Sequence, residues 1–407
     1  MNGSRVLAYG VLGLPLAFAA LPIYVHIPRY YAETAGMELA LLGIILLCTR
    51  LLDALIDPWL GWLADRLPRR RMLAVALLPF ALGFIALLNP PATLVAPWLL
   101  ASLTLTYLGF SAASVAHQAW GAAVGTDSTQ RTRLTAAREG YGLIGVILAA
   151  ALPSLLANDL NLGIERLSWV LPPLLIIAAA ISFSGVGAGS GQTPSREPLL
   201  LSLRQTLGDT RFRRLLCIFI ANGVAAALPA TLFLFFVADV LGAENASAPL
   251  LALYFVAGAA SLPLWVKLAA RVGRIPAWGL AMLLAMLSFS GAGLLGNGNL
   301  IGFAVICVGS GLALGGDLAL PAAIAADLGE RQGRSGACFG VWNFVAKINL
   351  ALAAGLALPL LDVLGYRPGG ESGQGALVFA YAFLPLGFKL LAALLLWRWR
   401  TALEIRS

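Results

Sequence analysis

The stretch Arg50-Leu-Leu-Asp53-Ala-Leu-Ile-Asp57-Pro-Trp-Leu-Gly61-Trp-Leu-Ala-Asp65-Arg66 places charges in a segment otherwise suited to a lipid bilayer. Residues 39–64 are almost wholly apolar, and Arg50, Asp53 and Asp57 interrupt them. Residues at positions i, i+3 and i+7 share one face of an α-helix. A charge at membrane depth costs about 2.5 kcal/mol or more, so such a set normally faces a bundle interior or a water pathway. The stretch therefore predicts a membrane helix that carries an ion-coupling site, as in a transporter.

The composition places most of the chain in lipid. Of 407 residues, 60% are hydrophobic and 11% are charged, whereas a soluble protein carries roughly 25% charged residues. The first apolar run, from Val6 to about Ile27, is long enough to span and lacks a signal-peptide cleavage pattern, so we expect it to be the first membrane helix. The four cysteines have no paired spacing. We therefore expect no metal, disulfide or cofactor.

Apolar runs of spanning length, separated by short polar breaks, predict twelve membrane helices. The predicted fold is an all-α membrane protein. The approximate spans are 5–29, 39–65, 72–89, 97–122, 135–157, 167–185, 214–241, 248–270, 276–295, 300–325, 336–361 and 377–400.

The distribution of arginines predicts the orientation. With the N-terminus in the cytoplasm, the loops on that side carry most of the basic residues, which places the C-terminus in the cytoplasm as well. The cytoplasmic arginines outside the tail are Arg66, Arg69, Arg70, Arg71, Arg131, Arg133, Arg271, Arg274, Arg331 and Arg334. The formal charge of +8 is therefore a topology signal, and we expect no nucleic-acid partner.

The longest break divides the helices six and six. We predict an N-terminal bundle over 1–185, a cytoplasmic linker with a short interfacial helix over 186–213, and a C-terminal bundle over 214–407. The linker opens with a Gly-rich run and continues with arginines among leucines. The loop after the second span has a weak echo after the eighth, and the loop after the fourth has one after the tenth. Two repeated halves of this kind are typical of transporters.

These residues resemble the major facilitator superfamily and, within it, the glycoside–pentoside–hexuronide:cation symporters. The stretch from Gly61 to Arg71 resembles the superfamily's signature loop, and Arg50-x-x-Asp53-Ala-x-x-Asp57-Pro resembles the family's cation motif. Three further matches are Arg138 in the fifth span, Asp327-Leu-Gly-Glu330 after the tenth and Lys347 in the eleventh. The resemblance covers the whole length and implies a fold of two six-helix pseudo-repeats.

The resemblance implies that Asp53 and Asp57 couple transport to a cation, either H⁺ or Na⁺. Two carboxylates held close repel each other, so the pair is a plausible proton acceptor, although a structural ion pair with Arg50 is the alternative. Ile56 and Ala113 stand where the family has neutral oxygen ligands for sodium. Because a proton needs only one carboxylate, we expect proton coupling in preference to sodium coupling.

Arg50, Arg138 and Lys347 are expected either to neutralise the two acids as a charge switch or to contact the substrate. A local pair between Arg138 and its neighbour Glu139 is a third option. The polar and aromatic groups at membrane depth that we expect to contact substrate are His117, Gln118, Trp120, Asp317, Trp342 and Asn343. For His117 and Asp317 a hydrogen-bonded structural role is the alternative. Lys267 and Lys389 are expected to snorkel toward the membrane surface.

A cytoplasmic gate is expected at Gly61, Asp65, Arg66, Asp327 and Glu330, where the acidic and basic groups would latch the two halves together. The expected protein is a multi-pass transporter of the bacterial inner membrane, acting as a monomer by alternating access. Its substrate would be a small polar or amphipathic solute. Ala17 and Ala116 stand where the family has sugar-binding acids, so a lysophospholipid-type lipid and a hydrophobic cation for export remain alternatives. With no clustering of His, Asp and Cys, we do not expect an enzyme.

Overall fold

The computed structural model describes residues 1–20, 22–33, 36–187, 189, 197–369 and 373–404, and these are helical with no β-strand. The α-helices, labelled in chain order, are α1 Gly3–Gly10, α2 Gly13–Phe18, α3 Ile27–Glu33, α4 Leu39–Ala64, α5 Arg69–Leu88, α6 Val95–Val124, α7 Ser128–Leu156, α8 Leu160–Leu167, α9 Leu171–Gly185, α10 Leu199–Gly208, α11 Thr210–Phe235, α12 Ser247–Val272, α13 Arg274–Ser290, α14 Leu300–Arg331, α15 Ser335–Val363, α16 Gln374–Val378 and α17 Leu384–Leu403. Single π-helical turns lie at Pro22–His26, Phe236–Val240 and Phe379–Phe383.

Ten helices among the described residues are long and apolar enough to cross a membrane. Helix α4, at 26 residues, and the segmented run α1 to α3 account for the other two predicted spans. The prediction of an all-α membrane protein is therefore confirmed. The second, fourth, fifth, tenth and eleventh predicted spans are α4, α6, α7, α14 and α15.

The chain divides into two compact units. The first unit comprises Met1–Thr206 and Ala325–Phe344, and the second comprises Leu207–Ile324 and Val345–Ser407. The turn between α14 and α15 therefore packs with the first unit. The predicted linker over 186–213 stays a prediction, and its residues 188 and 190–196 lie outside the described part of the chain.

The first unit is held together by close helix contacts. Helices α5 and α6 approach at Gly83 and Gly109, where a Cβ atom would collide with the backbone of Thr106 and of Phe80, respectively. Small residues permit this approach. Lipid gives no hydrophobic driving force for helix association, so van der Waals packing between the two helices stabilises the contact. The result is a fixed surface on α6 against which α4 packs.

The second unit has an aromatic core at two of its π-helical turns. The ring of Phe236 stacks on that of Tyr381 with centroids 4.1 Å apart, and Phe303 packs on Phe236 at 5.5 Å. Stacked aromatic pairs add about 0.5–1.5 kcal/mol beyond their buried area. This packing joins the ends of α11 and α17 to α14.

A buried ion pair lies in the interior of the second unit. The Lys389 ammonium on α17 pairs with the Asp317 carboxylate on α14, and the Trp278 indole donates to the same carboxylate at 3.0 Å. The exposed fractions of the lysine and aspartate side chains are 8% and 10%. The two buried charges thus compensate each other in a place where neither could remain alone.

The N-terminus of α7 is capped by Asp127. Its Oδ1 atom accepts the backbone N–H of Gln130 at 2.8 Å, and its Oδ2 atom accepts the Gln130 side-chain amide at 2.7 Å. The hydrogen bond from the Gln130 backbone holds the pKa of Asp127 below its usual value. A lowered pKa means that the carboxylate stabilises α7 at pH above its unfolded-state pKa, and that this stability is lost as pH falls through the folded-state pKa.

Replacing Asp127 with alanine is expected to destabilise the first turn of α7 by about 1 kcal/mol. At neutral pH the amide of Gln130 should exchange with solvent about fivefold faster, as measured by hydrogen–deuterium exchange. The increase should shrink as pH falls toward the folded-state pKa of Asp127. The neighbouring Thr129→Ala serves as the control, and an equal effect in that variant would contradict the cap.

Removing one partner of the Asp317–Lys389 pair is expected to cost about 3–5 kcal/mol, because it leaves an uncompensated charge inside the second unit. Asp317→Leu and Lys389→Met should each lower the unfolding temperature of the detergent-solubilised protein by several degrees. The double variant should melt closer to wild type than either single variant. Additive losses in this double-mutant cycle would show that the two groups do not interact.

Candidate functional site

Both acids of α4 are buried in the first unit. Asp53 is 5% exposed and Asp57 is 0% exposed. The Ser111 hydroxyl on α6 donates to Asp53 Oδ1 at 2.6 Å. The backbone of α4 at Asp57 lies close to α15, and this approach is possible because Gly340 of α15 has no side chain. The structure thus places both carboxylates inside the protein, away from the lipid-facing surface of α4.

Helix α6 supplies groups next to these acids that sequence reasoning missed. Besides Ser111, Tyr107 is 4% exposed and forms a side-chain hydrogen bond with Arg50. Arg50 itself lies at an exposed position of α4. Tyr107 and Ser111 are four residues apart and therefore share one face of α6.

A polar network joins α6, α7 and the first turns of α15. With the Gln118 amide oriented by its hydrogen bonds, its oxygen accepts from Arg138 Nη1 at 2.6 Å and its nitrogen donates to Asn343 Oδ1 at 3.1 Å. Arg138 also pairs with the carboxylate of Glu139. Of the three roles considered for Arg138, the local pair with Glu139 is present in the structure. Two predicted substrate residues, Gln118 and Asn343, meet at this arginine.

His117 and Trp120 point elsewhere and are fully buried. His117 contacts the end of α1 through two hydrogen bonds. The His117 Nε2 atom donates to the Tyr9 carbonyl at 3.0 Å, and the Tyr9 hydroxyl donates to the His117 carbonyl at 2.9 Å. The Trp120 indole donates to the Gly187 carbonyl at 3.0 Å. These contacts give both residues a packing role at the ends of α1 and α9.

The remaining predicted substrate and charge-switch residues are Trp342, Lys347 and Asp317. Trp342, in the first unit, is 5% exposed, and Lys347 is half-buried in the second unit. Asp317 is occupied by Lys389 and Trp278 inside the second unit. The expectation that Lys389 snorkels is wrong, because the ammonium has a buried carboxylate within reach and gains more from it than from the membrane surface.

The predicted gate residues are gathered at one end of the first unit. Asp65 accepts the backbone N–H groups of Gly336 at 2.7 Å and Ala337 at 2.8 Å, the second and third residues of α15. The carboxylate thereby satisfies two donors that a helix start leaves unpaired and meets the positive end of the helix dipole. Gly61 lies one turn earlier, where a Cβ atom would collide with the Gly336 carbonyl.

Ion pairs surround that contact. Arg69 lies 3.8 Å from Asp65 and 3.6 Å from Glu330, and Arg131 Nη1 lies 2.7 Å from Asp327. Asp65 and Asp327 are 2% and 1% exposed. Charges this well buried and paired make the end of α4 and the turn between α14 and α15 one connected structure.

One residue at this end was missed by sequence reasoning. The Glu197 carbonyl accepts from Arg66 Nη2 at 2.7 Å and from the Trp62 indole at 2.9 Å, and its carboxylate pairs with Arg334 at 3.0 Å. The Arg66 guanidinium also lies 4.0 Å from the Trp62 ring. The segment that precedes α10 is thus fastened to the predicted gate.

Among the described residues there is no group of three or more His, Cys, Asp and Glu side chains arranged to hold a metal ion.

The comparisons with known proteins agree with this architecture. A similar solved structure is a bacterial homologue of the iron transporter ferroportin in an outward-facing state, with a TM-score of 0.76, 14% identity and coverage of 98% of this chain and 100% of that one. Another is the Escherichia coli fucose:proton symporter FucP, with a TM-score of 0.72, 14% identity and coverage of 96% and 99%. At these identities the likeness shows the fold.

A curated relative is the inner membrane symporter YicJ of Escherichia coli strain K12. It is 23% identical over 247 residues, which are 58% of this chain and 54% of that protein. The chain thus spans about half the length of the curated relative it matches. The family model described as MFS/sugar transport protein matches residues 1–402. This multi-pass membrane protein therefore belongs to the family of MFS/sugar transport proteins.

Proposed function

We propose that this transporter couples the movement of a small polar or amphipathic solute to protons, through Asp53 and Asp57, in the bacterial inner membrane. The observation that carries the proposal is the burial of both carboxylates, at 5% and 0% exposure, on one face of a membrane helix. Intramembrane acids are costly and commonly mark ion pathways. Proton symport by FucP and the inner-membrane location of YicJ agree with this proposal.

The oxygen ligands near the acids favour a proton over sodium. Ser111 contributes one neutral oxygen next to Asp53, while Ile56 and Ala113 contribute none. Sodium needs several oxygens to replace its hydration shell, whereas a proton needs one carboxylate.

The cytoplasmic gate is proposed at the contact of α4 with the start of α15. The Asp65 carboxylate holds two backbone N–H groups there, and the glycines at positions 61, 336 and 340 allow the two helices to touch. In an alternating-access cycle this contact forms in one state and separates in the other. The remaining predicted site residues, Gln118 with Arg138 and Asn343, form the polar patch proposed to contact the solute.

The solute class is tested first, by thermal shift of the purified protein with sugars, lysolipids and cationic dyes. A sugar-like or other small polar solute is expected to stabilise the protein. Stabilisation by lysolipids alone, or by cationic dyes alone, would replace this substrate class with a lipid or a hydrophobic cation.

Asp57→Asn is expected to abolish concentrative uptake of the stabilising solute, by more than about tenfold, while exchange down its gradient is retained. Uptake into proteoliposomes is measured under an imposed pH gradient, with and without a protonophore. The exposed carboxylate variant Asp362→Asn serves as the control. Wild-type uptake that is independent of pH but stimulated tenfold by sodium would contradict proton coupling, and equal accumulation by Asp57→Asn would contradict the role of the acid.

Gly61→Ala is expected to reduce transport by at least about tenfold, because its methyl group meets the Gly336 carbonyl and cannot be accommodated without moving α15. Overpacking of this kind costs about 1–3 kcal/mol. The matched control is Gly43→Ala on the same helix, where a Cβ atom meets nothing within 4 Å. Equal uptake rates for the two variants would show that the close contact at Gly61 has no part in the cycle.

A further inference from the structure

A basic–aromatic cluster lies where the start of α11 packs against the end of α17 in the second unit. It consists of Arg213, Arg214, Trp397, Arg398, Trp399 and Arg400. Arg213, Arg398 and Arg400 are exposed, and the Trp397 side chain is 64% exposed. By the sequence-based orientation, this end of both helices faces the cytoplasmic leaflet.

Two arginines of the cluster, Arg214 and Arg400, lie against tryptophan rings. The Arg214 guanidinium lies 5.9 Å from the Trp399 ring, and that of Arg400 lies 5.3 Å from the Trp397 ring. Arg213 reaches only the Thr210 hydroxyl, at 3.5 Å. Within the described residues none of the four arginines forms an ion pair with Asp or Glu.

Arginines at the predicted cytoplasmic end of the first unit differ in this respect. Arg69, Arg131 and Arg334 are paired with Glu330, Asp327 and Glu197, respectively. The preference for basic residues on the cytoplasmic side explains why arginines occur at both places. Arg66 and Arg70 of the first unit also contact tryptophans, Trp62 and Trp120. The cluster differs from the three paired arginines in that its own four have no acidic partner among the described residues, and the cytoplasmic preference for basic residues does not explain that difference.

We propose that the basic–aromatic cluster binds the phosphodiester headgroup of an anionic phospholipid. Guanidinium groups donate paired hydrogen bonds to phosphate oxygens, and stacking on tryptophan holds them in place for that contact. Indole rings favour the headgroup level of a bilayer, and basic groups between helices on the cytoplasmic side bind anionic headgroups. The exposed Leu390, Leu391 and Leu394 on α17 continue from the cluster as a surface for the acyl chains.

The test is lipid titration of the delipidated, full-length protein, followed by native mass spectrometry. The probes are phosphatidylglycerol and phosphatidylcholine. Wild type is expected to retain phosphatidylglycerol in preference to phosphatidylcholine, and the preference should fall at high salt. In the variant Arg213→Gln/Arg398→Gln/Arg400→Gln the affinity for phosphatidylglycerol should fall on the order of hundredfold, at about fivefold for each arginine.

The matched control is Arg133→Gln/Arg271→Gln, which removes exposed cytoplasmic arginines that have no tryptophan contact. Its affinity for phosphatidylglycerol should stay within about twofold of wild type, since neither arginine belongs to the cluster. An equal loss in the control, or no preference in wild type, would overturn the proposal. Displacement of the lipid by excess glycerol 3-phosphate would also overturn it, since the site would then bind free phosphate.

If the triple variant unfolds at a lower temperature than wild type in phosphatidylcholine, its loss of lipid binding is not used. The proposal is then tested by the salt dependence of phosphatidylglycerol binding to the wild-type protein. A preference for phosphatidylglycerol that is unchanged between low and high salt would refute binding through exposed arginines. None of these outcomes depends on which solute the protein transports.

Discussion

The structure depends on how buried charge is compensated in a medium that cannot hydrate it. An ion inside a membrane protein has to be paired, hydrogen-bonded or protonated. The Lys389 ammonium pairs with the Asp317 carboxylate, and Arg138 pairs with Glu139. Two backbone N–H groups in the first turn of α15 donate to the Asp65 carboxylate. The Asp317–Lys389 pair joins α14 to α17 and the Asp65 contact joins α4 to α15, so two of these compensating contacts also fix how helices pack.

Local sequence patterns were sufficient to predict the individual helices. Spanning length and apolar composition predict the helices, and a 3.6-residue period places Asp53 and Asp57 on one face. The structure shows both features because they depend on contacts within one helix. Boundaries were less predictable: α6 extends two residues beyond each end of the expected span, and α14 extends six residues beyond its expected C-terminal end.

Partners distant in sequence were not predictable. Asp317 and Lys389 are separated by 72 positions, and no spacing rule brings α14 to α17 at that register. The same holds for Glu197, whose contacts reach α4 and the start of α15. Ser111 was missed for another reason: a serine in an apolar helix commonly bonds its own backbone, so its hydroxyl does not by itself indicate a partner.

The two intramembrane acid sites differ in a way that bears on proton coupling. Asp317 has a cationic partner in Lys389 and a hydrogen-bond donor in the Trp278 indole, so its charge is compensated within the second unit. Asp57 is fully buried and shares its helix face with a second acid, Asp53, one turn away. This contrast is the reason that proton coupling is proposed for α4 and not for the Asp317–Lys389 pair.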